Sequence, residues 1–197
     1  MNNNSSTCTH EDHCLYLFCP EILKSILFTH ENLSKFQNPI TPTEPGHGLV
    51  MRPLRVDDYE KGYVDLLGQL TVTGSLSQKD FEDAFQAMKA ARNTYYVVVV
   101  EDLNTSRIVG STTLLIEQKI IHDGGLRGRI EDVVVDGNYR SRQLGKLLVE
   151  VCTELGKQYF KCYKMSLDCK EHLIKFYGTF GYKREPGINM LLQRFDK

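Results

Sequence analysis

Several residues suited to chemistry surround a predicted helix start in the last third of this chain. Val133-Val134-Val135 has the character of a buried strand, and an amphipathic helix begins near Gln143 after a short polar turn. The first turn of a helix exposes unpaired N–H groups at the positive end of its dipole, which favours phosphate. Arg140, Arg142 and Lys146 add positive charge there. The junction predicts a phosphate or pyrophosphate site, with an ordinary solvated helix start as the alternative.

Two adjacent carboxylates, Glu131 and Asp132, precede these valines. Consecutive side chains of a regular strand point to opposite faces, so the pair is not expected to act as one dyad. Glu131 could instead simply pair with Arg129 at the strand end. Asp168 follows the next predicted strand and could cap the helix after it. Tyr177 lies on an apolar helical stripe, which by itself favours a place in the core.

Alternating periodicities indicate an α/β fold around these residues. The predicted order is β-α-α-β-β-β-α-β-α-β, which favours a mixed central sheet flanked by helices on both faces. Ser77 and Asp80 form a capping-box variant at one helix start. Strands are predicted at 49–55, 95–100, 107–116, 129–135, 162–168 and 189–195, and helices at 57–70, 77–91, 143–159 and 171–180.

The composition excludes several function classes. The 24 Lys and Arg balance 25 Asp and Glu, so a general nucleic-acid binder, which needs a basic face, is not expected. The most apolar N-terminal stretch, residues 14–28, contains Pro20, Glu21 and Lys24 and is too short and too polar for a membrane span. Six cysteines without a signal peptide favour reduced thiols and a cytoplasmic protein.

Residues 1–48 differ in amino-acid composition from the remainder of the chain. A polar start and repeated prolines and glycines predict a largely flexible tail and linker before a domain at 49–197. The apolar piece Ile22 to Leu27 could dock on that domain as a short helix. Zinc binding is the less favoured interpretation, because the spacing of the candidate ligands matches no familiar pattern. Those candidates are Cys8, His10, His13, Cys14 and Cys19.

Seven short blocks stand in the order, and near the spacing, of a known family. They are residues 70–74, 117–122, 129–135, 143–148, 162–164, 175–177 and 180–182. From Leu49 onward the chain resembles the glucosamine-6-phosphate N-acetyltransferases of the GNAT acetyltransferase superfamily. The carboxylate strand and the Lys-Ile-Ile-His loop point to this branch of the superfamily. The first 48 residues lie outside the resemblance.

The resemblance implies transfer of an acetyl group from acetyl-CoA to the 2-amino group of D-glucosamine 6-phosphate, a step toward UDP-N-acetylglucosamine. It also implies a homodimer with the sugar sites near the subunit interface. The main chain of Val133, Val134 and Val135 is expected to pair with the pantetheine arm, and Tyr177 to donate to the departing thiolate. The expected pyrophosphate loop comprises Arg140, Ser141, Arg142, Gln143, Leu144, Gly145 and Lys146.

On the sugar side, the resemblance gives Glu131 the role of orienting the amine or taking its proton through water, and places Asp168 near the reacting groups. No metal is implied. The expected substrate-binding residues are Thr71, Lys119, Ile120, Ile121, His122, Glu131, Asp132, Val133, Tyr163, Lys164, Asp168 and Arg194. The position of Arg194 depends on the register of the last strand.

Gln143 replaces the central glycine that is usual in the acyl-CoA pyrophosphate loop of the GNAT superfamily, and the chain departs from the narrower family at two further positions. Ser141 stands where the pyrophosphate turn usually has glycine, and Leu173 where many relatives have asparagine. Both changes could weaken acetyl-CoA binding. Two alternatives therefore stay open: a GNAT enzyme that acetylates another primary amine, and a weakly catalytic acyl-CoA-binding protein.

Overall fold

A five-stranded sheet forms the centre of the structure, a computed structural model that describes residues 15–188 and residue 193. Its strands lie in the order β1-β2-β3-β4-β5. The pairs from β1 to β4 are antiparallel, whereas β4 and β5 are parallel. The strands are β1 (Leu49–Pro53), β2 (Tyr95–Asp102), β3 (Arg107–Gln118), β4 (Leu126–Val135) and β5 (Lys164–Ser166).

Helices cover both faces of the sheet, which confirms the predicted α/β class. One apolar cluster joins α5 and α6 to the face that carries Val98, Leu114 and Ile130. A second cluster joins α3 and α4 to the opposite face, which carries Val97 and Val99. The helices are α1 (Glu21–Lys24), α2 (His30–Ser34), α3 (Tyr63–Gly68), α4 (Gln78–Ala90), α5 (Leu144–Glu154) and α6 (Ile174–Gly178).

Most predicted elements are present, but several are shorter or divided. Gly62 adopts φ 76°, a left-handed conformation that separates a 3₁₀ turn at Val56–Tyr59 from α3. The helix predicted at 171–180 is a 3₁₀ turn, Glu171–Leu173, followed by α6. The strand predicted at 162–168 shortens to β5. The strand predicted at 189–195 lies almost wholly outside the described residues.

The segment 15–48 packs on the domain, where the sequence predicts a flexible tail. Leu17 joins the second apolar cluster, and Leu23, Ile26 and Phe36 join the first. The predicted docking of the stretch Ile22 to Leu27 as a short helix is confirmed for the buried Leu23 and Ile26, but the helix spans only Glu21–Lys24 and Leu27 is 72% exposed. Prolines and glycines interrupt regular elements here, but they do not prevent spaced apolar side chains from reaching the core.

Among the described residues, one cysteine differs from the expectation of reduced thiols. Cys19 is disulfide-bonded, whereas Cys152, Cys162 and Cys169 are free. The expectation is therefore wrong at Cys19, because a rule about compartments describes a tendency and does not exclude a single disulfide. Across the described part of the chain, no helix combines the length and apolar character of a membrane span, and no group of side chains could hold a metal ion.

Candidate active site

Strand β4 contains a bulge beside the two predicted carboxylates. Thr113 pairs with Glu131 and Ser111 with Val134, so Asp132 and Val133 together oppose Thr112. Asp132 adopts φ 53°, a conformation that Asp tolerates better than most residues. Because of the extra residue, Ile130 and Val134 pack into clusters on opposite faces of the sheet. The prediction that Glu131 and Asp132 point to opposite faces assumed a regular strand. The bulge makes the strand irregular at these two residues.

On its other side, β4 is paired with β5 only at the beginning. Arg127, Gly128 and Arg129 pair with Lys164, Met165 and Ser166, and no further pairs join the two strands within the described residues. The stretch from Glu131 to Val135 consequently has a free main-chain edge towards β5. Strand edges of this kind can bind an extended ligand through N–H and C=O groups.

An arginine connects two of the predicted catalytic carboxylates. Arg129 forms ion pairs with Glu131, two residues away on β4, and with Asp168, which follows β5. The side chain of Arg129 is 32% exposed, so the bridge lies at the surface of the opening. The hydrogen bond to Glu131, foremost among the causes, raises the pKa of Arg129. The alternative considered for Glu131, an ion pair with Arg129, is present, and the same ion pair brings Asp168 close to it.

Asp132 has a different electrostatic environment from Glu131. Partial burial and the neighbouring negative charge of Glu131 raise the pKa of Asp132. No cation comparable to Arg129 is paired with Asp132 in the described part of the chain. The two adjacent carboxylates are therefore chemically distinct.

Tyr177 lies on α6 and is 8% exposed. Its ring contacts Phe176 and Tyr182 edge to face, with centroids 5.0 and 6.4 Å away. Burial, followed by the influence of the Cys169 thiol, raises the pKa of Tyr177. Cys169 directly follows Asp168, so the phenol is near the chain that carries one carboxylate of the Arg129 bridge. A phenol with a raised pKa remains protonated and can donate a hydrogen bond.

Four predicted sugar-binding residues form a second polar cluster at the start of β4 and β5. The His122 and Tyr163 rings are 4.2 Å apart, and Lys164 Nζ lies 5.7 Å from the Tyr163 ring centroid. Lys119 pairs with Glu117, and this pairing is the main cause of the lowered pKa of Glu117. His122 has φ 54° within the short turn Ile121–Gly124.

The other predicted sugar-binding residues are dispersed. Ile120 and Ile121 are 92% and 64% exposed. Thr71 lies in the loop after α3. Gln69 ties this loop to the turn after β4, because Gln69 Nε2 donates to Asp136 Oδ2 at 2.7 Å. Arg194 lies outside the described residues.

The predicted pyrophosphate loop has two left-handed residues just before α5. Ser141 has φ 69° and Gln143, the N-cap residue, has φ 62°. A positive φ is a conformation that glycine adopts without strain, so the backbone of Ser141 fits the glycine that the resemblance leads us to expect at this position. Gly145 packs near the end of β4, where a Cβ atom would lie 3.7 Å from Val135 Cγ2. The helix start and the free edge of β4 are therefore neighbours.

Some side chains of this loop already contact other residues of the protein. The Arg142 guanidinium lies 4.6 Å from the centroid of the Tyr139 ring. Lys146 Nζ donates to the Lys35 carbonyl oxygen at 3.3 Å. Arg140 is exposed. Backbone N–H groups at the start of α5, with Arg140 beside them, are thus the groups best placed for a phosphate.

Sequence reasoning missed Arg129 as a site residue and considered it only as a partner that would make Glu131 structural. Its position two residues before Glu131 on one strand was the available signal, because residues at i and i+2 share a face. Asp168, 39 positions along the chain from Arg129, could not be joined to it from spacing. The parallel register of β4 and β5 creates that contact.

Comparisons with known proteins identify the family. The sequence model of the acetyltransferase (GNAT) family matches residues 57–182. The chain therefore belongs to the GNAT acetyltransferase family. Among its relatives is a probable glucosamine 6-phosphate N-acetyltransferase of Drosophila melanogaster, 42% identical over 184 residues that cover 92% of this chain and 83% of the relative.

Two further relatives carry the same functional name. Glucosamine 6-phosphate N-acetyltransferase 1 of Dictyostelium discoideum is 37% identical over 143 residues, covering 73% of this chain and 89% of that protein. The crystal structure of glucosamine-6-phosphate N-acetyltransferase from Arabidopsis thaliana superposes with a TM-score of 0.71 at 34% identity, covering 75% of this chain and 99% of that one.

The Drosophila comparison also reaches the N-terminal segment. A match that covers 92% of the chain is longer than the whole region after residue 48, so it includes much of residues 1–48. The sequence argument had placed the resemblance only after that point.

Proposed function

We propose that this protein is a glucosamine 6-phosphate N-acetyltransferase. It transfers the acetyl group of acetyl-CoA to the 2-amino group of D-glucosamine 6-phosphate and yields N-acetyl-D-glucosamine 6-phosphate and CoA, a step toward UDP-N-acetylglucosamine. The observation that carries the proposal is the opening between β4 and β5. At this opening a free strand edge, the Glu131–Arg129–Asp168 bridge and the start of α5 lie together.

The residues present fit acetyl-CoA as the cosubstrate. The main-chain edge of Val133, Val134 and Val135 offers N–H and C=O groups to the amides of an extended pantetheine arm, while the valine side chains add no competing polar groups. The pyrophosphate is held by backbone N–H groups at the start of α5 and by Arg140. When bound, the cosubstrate supplies an activated acetyl thioester.

The carboxylate bridge prepares the amine. The amine must lose its proton before it attacks the thioester, and Glu131 accepts this proton through water. Arg129 keeps the carboxylate groups of Glu131 and Asp168 at fixed positions. Asp168 orients the amine from the β5 side. Holding the nitrogen close to the acetyl carbon supplies much of the remaining acceleration.

Tyr177 assists the departure of the thiolate. Its raised pKa keeps the phenol protonated over the physiological range, so the hydroxyl can donate to sulfur as negative charge develops there. This interaction is stronger in the transition state than in the ground state, and it therefore contributes to turnover more than to binding.

The sugar and its phosphate are bound by the polar cluster near the start of β4. Lys119, His122 and Lys164 supply positive or hydrogen-bonding groups, and Tyr163 supports His122 through ring contact. The remaining substrate contacts are Thr71, Ile120, Ile121, Asp132, Val133 and Arg194. No metal takes part.

The protein acts as a homodimer in the cytoplasm, with the sugar site near the subunit interface. The large exposed fractions of Ile120 and Ile121, beside the sugar cluster, support a protein contact at this position. Sedimentation equilibrium tests the dimer directly. A monomer at the enzyme concentrations that give full activity would refute it.

The activity is tested by thiol release with acetyl-CoA and either D-glucosamine 6-phosphate or unphosphorylated D-glucosamine. We expect turnover with the phosphorylated sugar and a much smaller kcat/KM without the phosphate. Equal kcat/KM values would favour an enzyme for another amine. Tight CoA binding without turnover would favour a binding protein, the role that Ser141 and Leu173 suggest.

A further inference from the structure

A stretch of the N-terminal segment, Thr29–Asn38, lies along α5 and is anchored there by buried polar contacts. Asn32 Nδ2 donates to Glu150 Oε1 at 2.6 Å and to Glu154 Oε1 at 3.0 Å. Lys35 Nζ forms an ion pair with Glu150 Oε1 at 2.6 Å, and the Glu150 side chain is fully buried. Charged groups are rarely buried without such partners, so these contacts fix the stretch firmly on the helix.

The same stretch reaches the residue at which α5 begins. The backbone N–H of Gln37 donates to Gln143 Oε1 at 2.8 Å, and Gln143 Nε2 donates to the Asn38 carbonyl oxygen at 3.3 Å. The Gln143 side chain thus pairs with one donor and one acceptor of the N-terminal backbone.

Gln143 needs such support because of its backbone conformation. It adopts φ 62°, a left-handed conformation that is strained for a residue with a Cβ atom. Its carbonyl oxygen accepts the first hydrogen bond of the helix, from Leu147 N at 3.0 Å. The conformation of Gln143 consequently sets the direction of the free N–H groups at the start of α5.

We infer that residues 29–38 position the pyrophosphate-binding loop, and that Gln143 is the positioning residue through which they act. The N-terminal segment is then part of the acetyl-CoA site without touching the cosubstrate. This inference rests on the proposed function, because it assumes that the start of α5 binds the pyrophosphate of acetyl-CoA.

Comparing two acyl donors distinguishes a role in positioning the pyrophosphate-binding loop from a general loss of enzyme activity. S-acetylpantetheine has the thioester and the pantetheine arm but lacks the pyrophosphate, so the loop does not bind it. In the full-length protein we expect Gln143→Ala to raise the KM for acetyl-CoA about 10-fold, equivalent to about 1.4 kcal/mol. The kcat/KM for S-acetylpantetheine should change less than twofold. Gln143→Gly should be less harmful than Gln143→Ala, because glycine adopts the left-handed conformation without strain.

Gln158→Ala is the matched control. Gln158 makes the same pair of contacts with the N-terminal backbone, to Leu27 N at 3.0 Å and Leu27 O at 2.9 Å, but beyond the far end of α5. It should leave the KM for acetyl-CoA unchanged. Equal losses with both donors, or an equal loss in Gln158→Ala, would overturn the inference.

Calorimetric dissociation constants for CoA give a readout that does not depend on turnover. A wild-type protein that binds CoA but does not acetylate glucosamine 6-phosphate would refute the proposed function alone. If Gln143→Ala and the wild type bind CoA equally, the positioning role is refuted, even when the wild type transfers acetyl groups normally.

Discussion

The two halves of β4 share one strand but differ in how their backbone is used. From Leu126 to Ile130 the strand pairs regularly with β3, and within this stretch Arg127 to Arg129 also pair with β5. From Glu131 to Val135 it is bulged towards β3 and unpaired towards β5 within the described residues. The predicted catalytic and cofactor-binding residues of β4 lie in the second half. Backbone groups that the sheet does not use are the ones available to a ligand.

The first half is held by close packing. Gly128 on β4 and Gly156 after α5 both leave room for the Met165 side chain on β5, and a Cβ atom at either glycine would collide with its sulfur. Met165 therefore fixes β5 against β4 at the beginning of the strand. This contact defines where the opening starts. The packing of the first half is structural, Arg129 being its one member of the proposed site, and the second half carries the other proposed site residues of β4.

The largest effect is expected from truncating a buried side chain in the first half of β4. Ile130 is 2% exposed, and Ile130→Ala should lower the free energy of unfolding by about 3 kcal/mol, as is usual when a buried aliphatic side chain is truncated. Urea denaturation measures the loss. Turnover of the folded variant should stay within about twofold, because free-energy losses in packing do not by themselves alter reacting groups. A collapse of kcat in a folded variant would remove the distinction between the two halves.

The next effect concerns the opening itself. Tyr177→Phe removes the hydroxyl that we propose assists the leaving thiolate, and kcat should fall about 100-fold, or about 2.7 kcal/mol, with little change in KM. Tyr182→Phe serves as the control, since its hydroxyl contacts Thr153 Oγ1 at 3.0 Å. If Tyr177→Phe raises KM and leaves kcat unchanged, Tyr177 only binds the cosubstrate.

A smaller effect is expected from the carboxylate bridge. Arg129→Met should lower kcat/KM about 10-fold, or about 1.4 kcal/mol, because Glu131 and Asp168 lose their common partner. Arg129→Lys should recover only part of the loss, since an ammonium lacks the planar fork of a guanidinium. Arg107→Met, which breaks the exposed Arg107–Asp65 pair, should not change kcat/KM. Full activity in Arg129→Met would show that the bridge is structural only.

The smallest effect tests the contrast between the adjacent carboxylates. The folded protein raises the pKa of Asp132, so its ionised form destabilises the fold as the pH rises above the ordinary value of 3.8. Asp132→Asn should therefore increase stability at pH 7, but only slightly, because Asp132 is exposed and solvent screens its charge; asparagine accepts the same left-handed backbone. The difference from the wild type should disappear below about pH 3.

Asp136→Asn should change the stability at pH 7 in the opposite direction. Gln69, followed by the Asn138 backbone, lowers the pKa of Asp136, so its ionised form stabilises the fold above the ordinary pKa. This variant should be less stable than the wild type at pH 7, and the two should converge as the pH falls. Chemical denaturation at pH 3 and pH 7 decides both cases. Equal shifts for the two variants would contradict the assigned environments.

Much of the fold could be predicted because local signals agree with the tertiary structure. The Ser77–Asp80 capping box is formed, and the hairpin of β2 and β3 and the helix α5 lie where β-branched runs and an apolar stripe predict them. The division of the helix at Gly62 was not predicted, since a left-handed glycine is invisible to periodicity. Helix ends are also the least certain part of any such prediction.

The candidate site could be predicted in its residue types but less well in its geometry. The bulge at Asp132 depends on pairing with β3, and the approach of Arg129 to Asp168 depends on the parallel register with β5. Both are long-range contacts that a reading of neighbouring residues does not contain. Apart from the docking of the Ile22 to Leu27 stretch, the packing of residues 15–48 was missed for the same reason, because Asn32 meets its partner Glu150 118 positions later.

The N-terminal contacts have a practical consequence for producing the protein. A shortened chain that starts at Leu49 matches the boundary suggested by composition, but it would deprive Glu150 and Glu154 of Asn32 and expose the apolar groups that Leu23, Ile26 and Phe36 cover. Such a chain would be prone to aggregation. Expression should therefore retain the residues from Leu15 onward, and proteolytic loss of this segment should lower solubility together with acetyl-CoA affinity.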